Sequence, residues 1–300
     1  MSKFFKQVYA LIRETISTFQ KHDPVVYAAA IAFFTVFSLP SVLIIIVKVI
    51  GSVFSTEQIQ SNLAQQIESL VGTASSEEII SIIEKRSTEE SSLLFSIISI
   101  IFLVFSATVI FAFIQKALNA IWNVKPKPKK GALKFAKDRI LSFSIIIVLG
   151  FLMLVSLSLE AILSMAGNFL QDLLSGYTVY FMQIGNYFLS LIVISSIFAL
   201  IFKFLPDAKI RWKDVGVGAV VTGLLFTLGK YLIGLMLSNT NVASTYGAAG
   251  SLAGILVWVF YSSIIVLIGA MFTRVYADTI GRKITPKKHS VRVETREVEM

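Results

Sequence analysis

Six stretches of this 300-residue chain are long and apolar enough to cross a bilayer, which takes roughly 20 residues as a helix. They run over about 25–50, 92–115, 140–163, 180–204, 215–237 and 246–273, and none holds more than one Lys, Arg, Asp or Glu. That pattern removes most fold classes, because a segment surrounded by lipid must satisfy its backbone polar groups internally. The expected fold is an all-α integral membrane protein, a bundle of six transmembrane helices. Composition agrees: 15% of the residues are charged, against about 25% in a soluble domain. The basic, amphipathic start lacks the short apolar core and cleavage site of a signal peptide, so none is expected.

The net charge of +9 is not spread evenly. Lys and Arg number four in 1–24, two in 51–91, eight in 116–139, none in 164–179, four in 203–214, none in 238–245 and seven in 274–300. This alternation follows the positive-inside rule and places both termini in the cytoplasm. The basic balance is then a topology signal, and no nucleic-acid partner is expected. The expected partners are membrane lipids, with anionic inner-leaflet headgroups at the basic loop 116–139. There are no cysteines and only two histidines. Disulfides, thiolate sites and a histidine-rich metal centre are excluded, and no metal or cofactor is expected.

The connecting segments carry further patterns. Residues 3–21 place Phe4, Phe5, Val8, Leu11, Ile12, Ile16 and Phe19 on one helical face, with Lys3, Lys6, Arg13 and Lys21 on or near the other. Such a helix either lies on an anionic leaflet or packs on the protein. The acidic loop 51–91 holds two further amphipathic patterns, each opened by a capping box. "NVKPKPKKG" (123–131) reads as a stiff basic linker. Residues 1–280 are expected to form one membrane domain, and 281–300 a polar, disordered tail.

Four stretches resemble one family: "HDPVVYAAAIAFFTVFSLP" (22–40), "ALNAIWNVK" (117–125), "LPDAKIRWKDVGVGAVVTGLLFTLGKYLIGLML" (205–237) and "STYGAAGSLAGILVWVFYSS" (244–263). In order and without large gaps, they are similar to the YihY/BrkB family of bacterial inner-membrane proteins. The resemblance implies six spans with both ends inside. It implies little about activity: members were long labelled ribonuclease BN, and transport or envelope-lipid roles are the alternatives. Met271 departs from the pattern, standing where a glutamate is common in that family.

The nuclease label finds no support in the residues. Phosphoryl chemistry needs a carboxylate-held metal or a histidine/lysine acid–base set. The acids on the inner side, Asp23, Asp138, Asp207, Asp214 and Asp278, are isolated in sequence, and Asp23 and Asp214 read as helix N-caps. His22 reads as an interfacial residue. No catalytic residue is assigned, and an enzyme is not expected.

Polar groups inside the spans collect in their outer halves: Lys230, Glu160, Gln183, Asn186 and, at the rim, Tyr246. A charge at mid-helix costs about 2.5–3.5 kcal/mol on insertion scales, so Lys230 needs a reason. Gly216, Ala219, Gly223, Thr227, Lys230 and Gly234 recur at helical spacing as one stripe of small residues. Gly247, Gly250, Ser251, Gly254, Trp258 and Tyr261 form a matching stripe on the last span, so the two spans are expected to pack through these faces. Counting back from the turn between them sets Lys230 level with Gly250 and Gly254. Lys230 can be satisfied by Glu160, Asn186 or carbonyls, can line an outward-facing pocket for an anionic group, or can snorkel to the interface. Pro40 is expected to kink the first span, and Trp122, Tyr177, Tyr180, Trp212 and Tyr276 read as interface anchors. The leading functional reading is a transporter- or flippase-like protein that handles an amphiphilic or anionic envelope component. A non-transporting envelope scaffold is the alternative, and a ribonuclease, after the historical family label, a remote one.

Overall fold

Among the described residues, six helices and four very short strands form in the order α1 (Ser2–Lys21), α2 (Pro24–Gly51), α3 (Leu93–Ile121), β1 (Val124–Pro126), α4 (Tyr177–Phe204), β2 (Ala208–Lys209), α5 (Trp212–Ser238), α6 (Ala248–Thr279), β3 (Thr285–Pro286) and β4 (Ser290–Arg292). The computed structural model describes residues 2–51, 93–127, 177–238 and 248–293, with isolated positions between 131 and 152. Among these residues, Tyr187–Phe204, Trp212–Ile233 and Ala253–Thr279 are long and apolar enough to cross a membrane, and Pro24–Ser38 and Phe105–Ile121 are shorter apolar helices. The helices outrun the apolar segments seen in the sequence. α3 continues six residues past 115 and α6 six past 273, because nothing in the helical hydrogen-bond pattern stops at the edge of the hydrocarbon. Hydroxyl side chains within them bond their own helix: Thr222 donates to the Gly218 carbonyl at 2.7 Å and Thr273 to that of Gly269 at 2.7 Å. A polar side chain is thereby satisfied without a partner from another helix.

The chain divides into two compact units. The first holds α1, the end of α3, α4, the first part of α5, the last part of α6 and all four strands. Its core is aromatic and aliphatic. Phe202, Leu118, Leu267, Ala270 and Met271 are fully or almost fully buried, and Trp122 is edge-on to Phe202 with ring centres 6.4 Å apart. Trp122 is therefore a core residue rather than an interface anchor. Its indole N–H donates to the Ala270 carbonyl at 3.4 Å, which gives the polar tip a partner away from water. Trp212 is 53% exposed, the environment an interface anchor requires. Met271 is also in this core; an acid there would be buried.

Part of the segment expected to be a disordered tail, up to residue 293, is ordered by strand pairing, and 294–300 lie outside the described residues. β4 pairs antiparallel with β1, Lys125 opposite Val291, and β3 pairs with β2, Ala208 opposite Pro286. The first residues of the basic segment after α3 are thus a strand and not a free linker. Asn123, at φ 53°, turns the chain from α3 into β1, the left-handed corner that ends many helices and that Asn tolerates. Composition hides this arrangement because the strands are two or three residues long and carry solvent-facing lysines.

In the second unit, α2 and α3 meet through stacked Phe34 and Phe113, 5.7 Å apart, and Ala28 and Ala32 are buried as small close-packing residues. Ser38 donates to the Thr35 carbonyl at 2.8 Å. α2 begins at Pro24, with Asp23 just before it at φ 43°.

Candidate functional site

The small-residue faces assign the contacts of α5. Gly218 meets Thr273 of α6: a Cβ added there would overlap the threonine hydroxyl and lie 2.7 Å from its Cβ. Gly269 of α6 meets Thr222 of α5 in the same way, 2.8 Å from its Cβ. Each helix therefore offers a glycine to the other's threonine, and the backbones approach as closely as small residues permit. Gly223 faces α4 instead, with an added Cβ 2.6 Å from Ser195 Oγ. Gly216 has nothing within 4 Å. The stripe through Gly216 and Gly223 is thus not the α6 contact, which lies on the adjacent face. Gly254 is buried, whereas Gly247 lies outside the described residues and Gly234 and Gly250 are described by their helical backbone alone.

Lys230 sits in the second unit and is half-buried. Its neighbour Gly229 is against Tyr261 and Ile265 of α6, a Cβ there falling 2.5 Å from the tyrosine ring and 2.7 Å from its hydroxyl. Lys230 is therefore level with Tyr261, deeper along α6 than Gly250 and Gly254. Leu228, Tyr231 and Leu232 around it are more than half exposed and Ile233 is buried, so the ammonium group leaves α5 between an outward apolar face and the packed one. Among the described residues no hydrogen bond or ion pair reaches it. Glu160 and Tyr246 lie outside the described residues, and Gln183, Asn186 and Pro40 are described by their helical backbone only.

The first unit holds two polar nodes that sequence reasoning missed. Asp207 is 3% exposed. Its Oδ2 accepts from the Asn119 amide at 2.8 Å and the Gln115 amide at 3.4 Å, and its Oδ1 from His289 Nε2 at 2.8 Å. Its backbone N–H donates to Asn119 Oδ1 at 2.8 Å, and its carbonyl accepts from the Ser290 hydroxyl at 2.7 Å and the Lys287 N–H at 2.9 Å. One residue thus ties the end of α3, the α4–α5 connection and the tail. Asp214, read as an N-cap, lies within the first turn of α5. Its carboxylate accepts from the Arg282 N–H at 3.3 Å, and Gly281 passes so close that a Cβ would fall 2.7 Å from the carboxyl carbon.

Arg274 forms the second node. It donates to the Ile121 carbonyl, pairs with Asp278 at 3.7 Å and reaches His22 Nε2 at 3.3 Å. Asn123, with its amide oxygen turned toward the guanidinium, accepts at 2.9 Å and donates to the Ala120 carbonyl at 3.3 Å. His22 Nδ1 lies 2.9 Å from the Thr18 carbonyl, so Nδ1 carries the proton and Nε2 accepts from the arginine. His22 is a link between helix ends. Arg274→Met should cost about 2–3 kcal/mol, because hydrogen bonds to a charged group are worth about 1.5–3 kcal/mol each and the freed carbonyl partly rehydrates. A lowered melting temperature in detergent would show it.

Comparison with known proteins agrees over most of the chain. The family model described as Virulence factor BrkB matches residues 15–294. A UPF0761 membrane protein of Psychrobacter sp. (strain PRwf-1) is 26% identical over 265 residues, covering 87% of this chain and 47% of the relative. One from Idiomarina loihiensis is 25% identical over 72% of this chain and 73% of its own length. One from Glaesserella parasuis is 27% identical over 61% of this chain and 62% of its own. The chain thus spans about half the length of the Psychrobacter relative. No solved structure matches.

Proposed function

The chain belongs to the BrkB family of bacterial membrane proteins, and from that footing we propose that it is a six-span inner-membrane protein that binds and moves an amphiphilic or anionic envelope component. The alternation of Lys and Arg supports a cytoplasmic placement of both termini, and exposed Lys116, Lys125 and Lys127 of the basic segment 116–139 suit contact with anionic headgroups. The observation that carries the reading is Lys230: a half-buried cation on an apolar helix with no described ion pair. A primary ammonium has three donors and no acceptor. Against apolar walls its attraction for a phosphate or carboxylate is weakly screened, while the walls accept acyl chains. Glu160, Gln183, Asn186 and Tyr246 are the other polar residues that the sequence sets in the outer halves of the spans. The reading assigns no catalytic step, and no nucleotide-binding motif supplies energy.

The test combines lipid mass spectrometry with complementation of a deletion strain. The purified wild-type protein should retain an anionic amphiphile. Lys230→Met should lose it severalfold, and Lys230→Arg should keep it. Unchanged lipid content and full complementation by a folded Lys230→Met protein would remove the anion site. That outcome would favour an envelope scaffold, a reading supported by the closed Gly218–Thr273 and Thr222–Gly269 contacts, which leave no space between α5 and α6 there.

A further inference from the structure

α1 inverts the usual rule for an amphipathic helix on a protein. Among its described side chains the buried ones are Leu11, Thr15 and Thr18. The two threonine hydroxyls are satisfied within the helix, by the Leu11 carbonyl at 2.7 Å and the Glu14 carbonyl at 2.8 Å. The bulkier apolar side chains face outward: Tyr9 is 68% exposed, Ile12 52% and Ile16 56%, with Val8 beside them. Leu11, grouped by the sequence with the apolar face, belongs to the docked one. Lys6, Arg13 and Lys21 are exposed as well.

Helical geometry sorts these residues into three sectors. At about 100° per residue, Leu11, Thr15, Thr18 and His22 share one line. Tyr9, Ile12 and Ile16 centre about 120° round from it, and Lys6, Arg13 and Lys21 roughly another 120° on. One side of the helix is made for protein, one for an apolar phase and one for water or anions. Those three surroundings meet at the rim of a membrane protein, where a helix lies in the plane of the interface.

We propose that α1 is an in-plane anchor, docked on the protein through its threonine stripe with Tyr9, Ile12 and Ile16 in the acyl boundary of an anionic leaflet. Two further observations favour lipid over a second copy of the chain. Only His22 and Asp23 separate α1 from the apolar helix beginning at Pro24, which keeps the end of α1 at the edge of the hydrocarbon. The flanking charge is basic, with Glu14 the sole acid in the helix, and this complements anionic headgroups. His22 also contacts Arg274, so the anchor is wired to the node that joins the ends of α3 and α6.

The choice of the cytoplasmic leaflet rests on the topology proposed above; the in-plane placement does not. The chain has no cysteine, so each introduced thiol is a unique probe. Nitroxides at Tyr9→Cys, Ile12→Cys, Ile16→Cys, Thr15→Cys and Ala10→Cys are compared in phosphatidylglycerol-containing vesicles. Positions 9, 12 and 16 should be severalfold more accessible to oxygen than to a water-soluble nickel chelate, position 10 the reverse, and position 15 poorly accessible to both. Replacing phosphatidylglycerol with phosphatidylcholine should make 12 and 16 shallower. Equal chelate access at 9, 10, 12 and 16 overturns the anchor. Low access to both reagents with label-to-label broadening, relieved by unlabelled protein, assigns the face to a second copy and overturns it too. Unchanged depth in phosphatidylcholine removes the anionic preference. Labelling of Ala10→Cys by an impermeant maleimide from outside intact spheroplasts would overturn the leaflet, and with it the proposed topology, while leaving the in-plane geometry standing.

Discussion

Replacing Gly218 by valine is expected to prevent recovery of folded, monodisperse protein in mild detergent. The added Cβ would lie 2.7 Å from Thr273 Cβ and overlap its hydroxyl, and both atoms are attached close to helix backbone, so neither can swing away. Overpacking a close-packed site costs about 1–3 kcal/mol. Alanine alone should reach the upper part of that range, and valine should exceed it because a branched side chain has no rotamer that avoids α6. Gly269→Val should behave alike through Thr222, which would lie 2.8 Å from the new Cβ. Two controls separate this from any general effect of removing a helical glycine. Gly216→Ala meets nothing within 4 Å and should be neutral or stabilising by about 0.5–1 kcal/mol, the usual helix gain over glycine. Gly218→Ala combined with Thr273→Gly exchanges knob and hole and should recover most of the lost melting temperature. If Gly218→Val and Gly216→Val melt alike, the crossing of α5 on α6 is wrong.

Asp207→Ala should release the tail. The substitution strands the Asn119 and Gln115 amides beneath a surface where Asp207 was 3% exposed. Removing one partner of a buried charged network costs about 3–5 kcal/mol. The lower end applies here, since the His289 side chain is 44% exposed and can return to water. Limited trypsin digestion reads the result directly. Lys287, Lys288 and Arg292 lie on or beside β3 and β4, and cleavage there should be severalfold faster in Asp207→Ala than in the wild type. Asp207→Asn keeps an acceptor and should fall between them. His289→Ala removes only a half-exposed pair and should cost about 0–1 kcal/mol. Cleavage at equal rates in wild type and Asp207→Ala would show that Asp207 does not hold the strands.

How much of this could be read in advance differs between elements. The apolar helices were legible because lipid demands a long apolar run, and such a run needs no knowledge of its neighbours. The glycine stripe on α5 shows where that reading ends. Periodicity gathers Gly216, Gly223 and Lys230 on one side, but it does not say which helix that side meets. Gly223 meets Ser195 of α4, and the residues that meet α6, Gly218 and Thr222, sit about 120° away. Lys230 was found as an anomaly by sequence. Its level was misplaced, because the count from the turn assumed a register that the seating of Gly229 on Tyr261 and Ile265 sets differently.

The sequence by itself determined the solvent, the helical class and the family, for each is written in local composition or in contiguous motifs. Only the tertiary structure decided what the charged residues do. Asp207 looked like a lone surface acid and is the buried partner of a histidine 82 positions away. Residues 285–286 and 290–292 fall in a segment that looked disordered, and they are paired with segments near 208 and 125. α1 looked like a two-faced helix and has three faces. In each case the deciding contact is between groups distant along the chain, so no local window contains it. Its energy comes from desolvated polar pairs whose value exists only once both halves are in place.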